Sequence, residues 1–184
     1  MEYTKEPAFI NRQKEIEYLQ DWVEQRPEHI LFFYGPKSSG KTTLISKFVD
    51  EHLNDDKQFS IKLFNLREVL IVNYENFLQR FFQLQDQEEQ DSSETRQYNL
   101  RVFRYTVQTR QKIRDRQLDP FDVMKAELKE QNARGIRPVI IIDELQALDF
   151  IYFNSQRELI KELINFFVAM TKESHLCHVL LSSS

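Results

Sequence analysis

Glycine and cysteine are scarce in this sequence, and long apolar runs are absent. The chain has three glycines in 184 residues, well below the usual share of about 7%, which excludes collagen-like and glycine-rich linker architectures. Its single cysteine, Cys177, excludes an intrachain disulfide, and a reducing compartment is the simplest setting. No apolar stretch approaches the roughly 18 residues of a membrane span, and residues 1–7 lack a signal-peptide pattern. We therefore expect a cytoplasmic protein with no membrane partner.

The composition is that of one folded domain. At roughly 150 residues per domain the length suggests a single unit, and 41% hydrophobic with 12% aromatic residues suffice for a core. The net charge of −4 does not indicate a basic surface for nucleic acid. A basic run at 101–116 leaves two interpretations open, DNA contact or a solvated helix face. His175, Cys177 and His178 are close in sequence, but alternate strand residues face opposite sides, so a zinc site is not indicated.

Hydrophobic periodicity predicts alternating helices and strands. The predicted helices cover 12–25, 42–53, 73–82, 120–134 and about 155–173. The predicted strands cover 29–34, 59–66, 137–142 and 178–182. The runs at 29–34 and 137–142 are continuously apolar, which is typical of strands buried on both faces of a parallel sheet. This alternation predicts a three-layer α/β fold, with a mostly parallel sheet covered by helices on both faces.

Local signals mark helix ends and one polar segment. Asn11 is expected to cap the first helix, and Asp119 followed by Pro120 is expected to begin the helix at 120–134. Gly135 is expected to end that helix. Residues 83–97 contain five acids and one apolar residue, which predicts either a flexible insertion or a solvated helix end.

Two of the three glycines belong to one motif. The segment Gly35-Pro-Lys-Ser-Ser-Gly40-Lys41-Thr42 fits G-x-x-x-x-G-K-S/T, the phosphate-binding P-loop or Walker A element. Its backbone N–H groups curl around a phosphate, and glycine tolerates the required torsions and the close approach of the anion. The helix that follows adds the positive end of its dipole. An ordinary turn before a helix is the alternative.

The P-loop assigns roles to individual residues. Lys41 would reach the β- and γ-phosphates, and the Thr42 hydroxyl would ligate Mg²⁺. The residues expected to bind the nucleotide are Gly35, Pro36, Lys37, Ser38, Ser39, Gly40, Lys41, Thr42 and Thr43.

A second motif follows the other strongly apolar strand. Val139-Ile-Ile-Ile-Asp143-Glu144 places two acids at the carboxyl end of a predicted strand, where open α/β sheets bind ligands. Beside a P-loop this is the pattern of a Walker B element, in which Asp143 would hold Mg²⁺ through water and Glu144 would polarise the attacking water. A pair of acids capping the next helix is the alternative.

With both elements the chain resembles the additional-strand ATPases, which include the AAA+ and STAND proteins, and it is most similar to the archaeal-type ATPase family. Three segments carry the resemblance: Phe9-Ile-Asn-Arg12-Gln-Lys-Glu15-Ile16-x-x-Leu19, Gly35 to Leu44, and Ile142-Asp-Glu-Leu-Gln146. The resemblance implies an AAA+-like core that hydrolyses ATP with Mg²⁺. It also implies that Arg12 and Ile10 lie near the base or ribose. The alternative role for Arg12 is a surface salt bridge.

The resemblance also concerns the end of the chain. It implies a polar sensor of the γ-phosphate or the lytic water among Ser182, Ser183 and Ser184, for which we favour Ser183, with a frayed terminus as the alternative. Gln146 would report the nucleotide state or cap a helix. The implied strand order is 5-1-4-3-2, and the chain stops at strand four, which leaves the P-loop strand as an apolar edge. We therefore expect a fragment without fifth strand or lid, whose full-length chain self-associates or carries an effector domain.

Three functions are open from the sequence. The first is Mg²⁺-dependent ATP hydrolysis, with Lys41, Glu144 and Ser183 as catalytic residues. The second is a STAND-type, nucleotide-operated switch with little turnover, and the third is a P-loop kinase. ATP is favoured over GTP by the resemblance and because the sequence has no Asn-Lys-x-Asp guanine motif.

Overall fold

The computed structural model describes residues 11–54, 56–68, 70–73, 76–77, 112, 119–153 and 155–184. The helices in these ranges are α1 (Gln13–Glu24), α2 (Lys41–Phe48), α3 (Pro120–Ala133) and α4 (Leu159–Val168). The strands are β1 (Ile30–Tyr34), β2 (Phe59–Asn65), β3 (Arg137–Asp143), β4 (Tyr152–Phe153), β5 (Arg157–Glu158) and β6 (His178–Ser183). π-helical turns extend α2 (Val49–Leu53) and α4 (Ala169–Glu173), and a 3-10 turn (Leu145–Leu148) follows β3. The predicted insertion at 83–97 and Ile10 lie outside the described residues, as does nearly all of 98–116.

Four strands form one parallel sheet in the order β1-β6-β3-β2. β3 pairs with both β2 and β6, and β1 pairs with β6, every pair being parallel. Because the strands run in one direction, their last residues, Tyr34, Asn65, Asp143 and Ser183, lie at one edge of the sheet. The predicted α/β fold is confirmed, and the observed order agrees with the 1-4-3-2 part of the implied order.

Helices cover both faces of this sheet. On one face, α1 and α2 pack against the strands through buried residues such as Leu19 and Phe48. On the other face, α3 and α4 do so through Leu128 and Phe167. The central strand β3 contributes to both cores and is fully buried from Val139 to Ile142, as its apolar run predicts. Of the helices that the structure describes, none has the length and apolarity needed to cross a membrane.

Strand β1 differs from the prediction. Its apolar run predicts burial on both faces, but Phe32 is 52% exposed and Tyr34 is 85% exposed. Among the described strands, β1 pairs with β6 alone. A strand with a neighbour on one side only has fewer side chains packed against either face, so apolar composition alone does not ensure its burial.

Two of the predicted helix starts are wrong and one is confirmed. The cap position of α1 falls on Arg12, no side chain caps the helix, and Asn11 takes a left-handed φ of 59°. The helix predicted from about 155 begins at Leu159, because β4 and β5 form an antiparallel hairpin before it. The Asp119 side chain caps α3 by accepting the Phe121 N–H at 2.8 Å, as predicted.

Candidate nucleotide-binding site

The P-loop connects β1 to α2 at the carboxyl edge of the sheet. Gly40, immediately before α2, has a φ of 81°, a left-handed conformation that favours glycine. Gly35 does not have a positive φ, and a Cβ atom placed there would lie 3.4 Å from Ser39 Oγ. Ser38, in the same loop, also has a left-handed backbone conformation, with a φ of 63°. The motif predicts a torsion that favours glycine at both Gly35 and Gly40. It is found at Gly40 but not at Gly35.

The side chain of Lys41 folds back over this loop. Its Nζ donates hydrogen bonds to the carbonyl oxygens of Gly35 at 2.7 Å and Pro36 at 3.0 Å. The ammonium group thus lies within the loop and is bound to neutral oxygens. A phosphate group would offer it stronger, charge-assisted hydrogen bonds.

Arg12 contacts the backbone of the loop. One guanidinium nitrogen donates to the carbonyl oxygen of Ser39 at 2.8 Å, and the other pairs with Glu15 at 2.8 Å. The hydrogen bond from Arg12 holds the pKa of the Glu15 carboxyl below its usual value. The predicted surface salt bridge is therefore present, together with a contact to the P-loop backbone. The contact of Arg12 with base or ribose stays a prediction.

The P-loop and the acid motif meet through one hydrogen bond. The Thr42 hydroxyl donates to Asp143 Oδ2 at 2.6 Å, although the two residues are 101 positions apart. Asp143 ends β3 and is 1% exposed, and its other oxygen accepts the Glu144 N–H at 3.0 Å. Parallel pairing produces this meeting, because β1 and β3 end at the same edge.

Glu144 is buried and held in a strained backbone conformation. Its φ of 62° is unusual for a residue with a side chain. Its side chain is 5% exposed and contacts the guanidinium of Arg67 and the side-chain amide of Gln146. It makes no side-chain cap to the 3-10 turn that follows. The helix-capping alternative therefore does not account for Glu144.

Gln146 links Glu144 to the last two residues. Its Oε1 accepts a hydrogen bond from Ser183 Oγ at 3.0 Å, and its Nε2 donates to Ser184 Oγ at 2.9 Å. Ser183 pairs with Tyr34 in the sheet, which is not the arrangement of a frayed terminus. The predicted sensor residue and the predicted base are thus connected through one amide.

Sequence reasoning did not identify Arg67. It lies two residues beyond β2, with its side chain half-exposed, and reaches the carboxylate of Glu144 from the neighbouring strand end. The available signal was its position just after a predicted strand, since all parallel strands end at this edge.

The site combines a loop suited to phosphate with a small set of oxygen donors. No group of three or more His, Cys, Asp or Glu side chains able to hold a metal is found in the part of the chain that the structure describes. A metal ion at Thr42 and Asp143 would therefore take further ligands from water or from a bound phosphate.

The comparisons with known proteins agree with this geometry. A sequence model of an ATPase domain predominantly from Archaea matches residues 9–184. Three uncharacterized ATP-binding proteins of Methanocaldococcus jannaschii are 38%, 37% and 36% identical over 177, 181 and 177 residues, covering 96% of this chain and 51%, 50% and 50% of the relatives. The chain thus spans about half the length of these relatives. The Walker-type ATPase of Pyrococcus abyssi shares the fold, with a TM-score of 0.54 at 18% identity over 96% of this chain and 45% of that one. The chain belongs to the family of ATPase domains found predominantly in Archaea.

Proposed function

We propose that this chain binds ATP with Mg²⁺ and hydrolyses it. The observation that carries the proposal is the hydrogen bond between Thr42 and Asp143, which joins the phosphate-binding loop to the acid motif. Family membership and the ATP-binding relatives support the choice of nucleotide. The proposal concerns this domain, and the activity of a longer protein would depend on its other parts.

The P-loop would hold the triphosphate. Backbone N–H groups from Gly35 to Thr43 would surround the phosphates, and the N-terminus of α2 would add its positive dipole end. Lys41 would exchange its two carbonyl acceptors for phosphate oxygens. Arg12 keeps the loop in place through Ser39 and, with Ile10, would lie near the base or ribose.

Thr42 and Asp143 fit the ligand preferences of Mg²⁺. The ion takes oxygen ligands and is usually bound by one or two carboxylates together with substrate phosphates and water. A hydroxyl and a carboxylate oxygen 2.6 Å apart supply two donors of that kind. When bound, Mg²⁺ would neutralise negative charge on the phosphates.

Glu144 would act as the base for the attacking water. The carboxylate lies at the carboxyl edge of the sheet, next to the proposed Mg²⁺ residue Asp143. Both of its described contacts, with Arg67 and Gln146, would need to shift or weaken for water to approach it. Ser183 would sense the γ-phosphate and transmit its position to Glu144 through Gln146.

These same contacts favour a second candidate function. A base that is held by an arginine and an amide is restrained from hydrolysis, which suits a STAND-type switch that retains its nucleotide. The two candidates differ in turnover and in nucleotide retention, not in the residues that bind ATP.

Phosphate release from ATP, measured with and without Mg²⁺, tests the proposal in the Glu144→Gln variant. Loss of a general base lowers turnover by roughly 10²- to 10⁴-fold, and we expect ATP binding to persist because the P-loop is unchanged. Glu173→Gln, an exposed position after α4, is the matched control and should behave as wild type. If ATP binds but Glu144→Gln changes neither turnover nor nucleotide retention, the hydrolase assignment fails. Tight retention with negligible wild-type turnover would instead favour the switch.

A further inference from the structure

A side chain from the start of α1 binds the peptide group between Ser39 and Gly40 in the P-loop. The guanidinium of Arg12 donates to the carbonyl oxygen of Ser39 at 2.8 Å, although the two residues are 27 positions apart. Ser39 lies between two residues with a left-handed φ, Ser38 at 63° and Gly40 at 81°. Backbone in such sparsely populated regions persists only where its surroundings hold it. The contact with Arg12 therefore lies where the loop needs support from another element.

The guanidinium of Arg12 is itself fixed in position. Its other terminal nitrogen donates to the carboxylate of Glu15 at 2.8 Å, in the first turn of α1. α1 packs into the core that it shares with α2 through Ile16 and Leu19, which are 2% and 0% exposed. A guanidinium presents its donors in a rigid fork, so it binds two acceptors in fixed directions. The Ser39 carbonyl is thus tied to a well-packed helix.

The direction of the Ser39 carbonyl determines the direction of the next N–H. The peptide between Ser39 and Gly40 is trans, and in a planar trans peptide the C=O and N–H bonds point in opposite directions. Because the Ser39 oxygen faces Arg12, the Gly40 N–H points away from Arg12. A Cβ placed on Gly40 would meet no atom of the described residues within 4 Å, so the space beside this residue is open to a ligand.

Lys41 and Arg12 bind carbonyl groups of the loop in different ways. Lys41 Nζ donates to the carbonyl oxygens of Gly35 and Pro36, and it would leave both for a phosphate. The bond from Arg12 uses only the carbonyl of its peptide group and leaves the N–H of that group available to a phosphate oxygen. Successive backbone N–H groups form the anion-binding surface of a P-loop, whereas a carbonyl turned towards the phosphate would repel it. The contact with Arg12 can therefore persist when a phosphate is bound.

We infer that Arg12 is a positioning residue for the phosphate site, which directs the Gly40 N–H to the bound triphosphate through the carbonyl of Ser39. Glu15 supports this role by fixing the guanidinium. The inference rests on the proposed binding of ATP but not on its hydrolysis. It differs from a contact of Arg12 with the base or ribose, because its effect should be the same for any triphosphate.

Isothermal titration calorimetry with ATP and with inorganic tripolyphosphate, each with Mg²⁺, tests the inference in the Glu144→Gln background, which prevents turnover during the titration. Arg12→Met should weaken both ligands by the same factor, about tenfold or more, because a hydrogen bond to a charged phosphate is lost. Lys14→Met removes an equal charge from an exposed position in the first turn of α1 and should leave both affinities unchanged. Arg12→Lys offers one nitrogen to two acceptors, so its affinities should be intermediate, and it replaces Arg12→Met if that variant does not fold.

The scarcity of glycine allows a direct observation of the N–H group. Labelling with ¹⁵N-glycine gives backbone amide signals from three residues, Gly35, Gly40 and Gly135. Saturating tripolyphosphate should move the Gly40 amide proton downfield in the Glu144→Gln background, because a charge-assisted hydrogen bond forms. Adding Arg12→Met should remove most of this shift at saturation, which a general effect on folding would not do. Gly135, which precedes β3 at the opposite edge of the sheet, is the internal reference and should not move.

Three results would overturn the inference. The first is an equal effect of Arg12→Met and Lys14→Met on the two affinities. The second is a loss of affinity for ATP with unchanged binding of tripolyphosphate, which would indicate a contact with the base or ribose instead. The third is a Gly40 shift at saturation that Arg12→Met leaves unchanged, since Arg12 would then act by another route. If wild type binds tripolyphosphate as expected but does not hydrolyse ATP, the proposed hydrolysis fails and the inference stands.

Discussion

Replacing Thr42 by valine tests the contact that joins the two halves of the nucleotide site. The hydroxyl donates at 2.6 Å to a carboxylate of a residue that is 1% exposed. Hydrogen bonds to charged groups contribute about 1.5–3 kcal/mol, and loss of a partner leaves the buried carboxylate less well satisfied. We therefore expect Thr42→Val to lower the free energy of unfolding by about 2 kcal/mol.

Thr43→Val is the matched control, because Thr43 is exposed in the same turn of α2. Both substitutions replace one β-branched residue by another, so helix propensity changes little. An exposed substitution of this kind changes stability by no more than about 0.5 kcal/mol. Urea unfolding followed by circular dichroism measures both variants against wild type, without nucleotide.

The same pair of variants separates structure from metal binding. If Thr42 also ligates Mg²⁺, Thr42→Val should lose the increase in ATP affinity that Mg²⁺ gives to wild type, whereas Thr43→Val keeps it. Equal stability of the two variants would refute the energetic argument. A destabilised Thr42→Val with undiminished Mg²⁺ dependence would refute the role in metal binding and leave only the structural contact.

Three further predictions concern the acid pair, pH and one helix end. Arg67→Ala should raise ATP turnover about fivefold, because an ion pair with a half-exposed arginine, of about 1 kcal/mol, no longer restrains Glu144. An unchanged or lower rate in a phosphate-release assay would contradict this prediction. Folding lowers the pKa of His178 from 6.5 to about 4, so the unfolded chain binds more protons between these values and stability falls as pH decreases from about 6.5 to 4. The free energy of unfolding can be measured by denaturation at several pH values in this range. Between pH 6.5 and 4 it should fall by up to about 3 kcal/mol less in His178→Gln than in the control His29→Gln, which changes an exposed histidine. Gly135→Ala should lower the free energy of unfolding by about 1 kcal/mol, measured by thermal or urea unfolding, because a φ of 75° is strained for alanine. No atom lies within 4 Å of the new Cβ, so a neutral effect would refute the strain argument.

The sequence was most informative where a pattern is local and long. The run Val139 to Ile142 predicts a strand buried on both faces, and each of its residues is fully buried. Asp119 and Gly135 predict the ends of α3, because capping depends on a few adjacent backbone groups. The hairpin of β4 and β5 was missed, because two-residue strands carry no detectable periodicity.

The burial of β1 could not be predicted from its composition. Its five residues are apolar or aromatic, as is the run Val139 to Ile142 of β3, yet Phe32 and Tyr34 are exposed. The difference depends on the number of neighbouring strands, which is a property of the sheet and not of the segment.

The residue types that form the nucleotide site can be identified from the sequence. The P-loop is contiguous, so its phosphate-binding character depends on residues that are neighbours along the chain, and two of only three glycines belong to it. The acids Asp143 and Glu144 can likewise be recognised in the sequence, because they are adjacent and follow an apolar strand. The scarcity of glycine elsewhere in the chain draws attention to this loop, and Gly40 is the glycine in it whose backbone torsion favours glycine.

Which of these groups come into contact depends on the tertiary structure. Parallel pairing brings Thr42 to Asp143 across 101 positions and Arg67 to Glu144 from the next strand end, and it places Ser183 within reach of Gln146. It also buries His178, the first residue of β6, at the opposite edge of the sheet. Contacts of this kind depend on strand order and on the shared direction of the strands, and neither is encoded in any single segment.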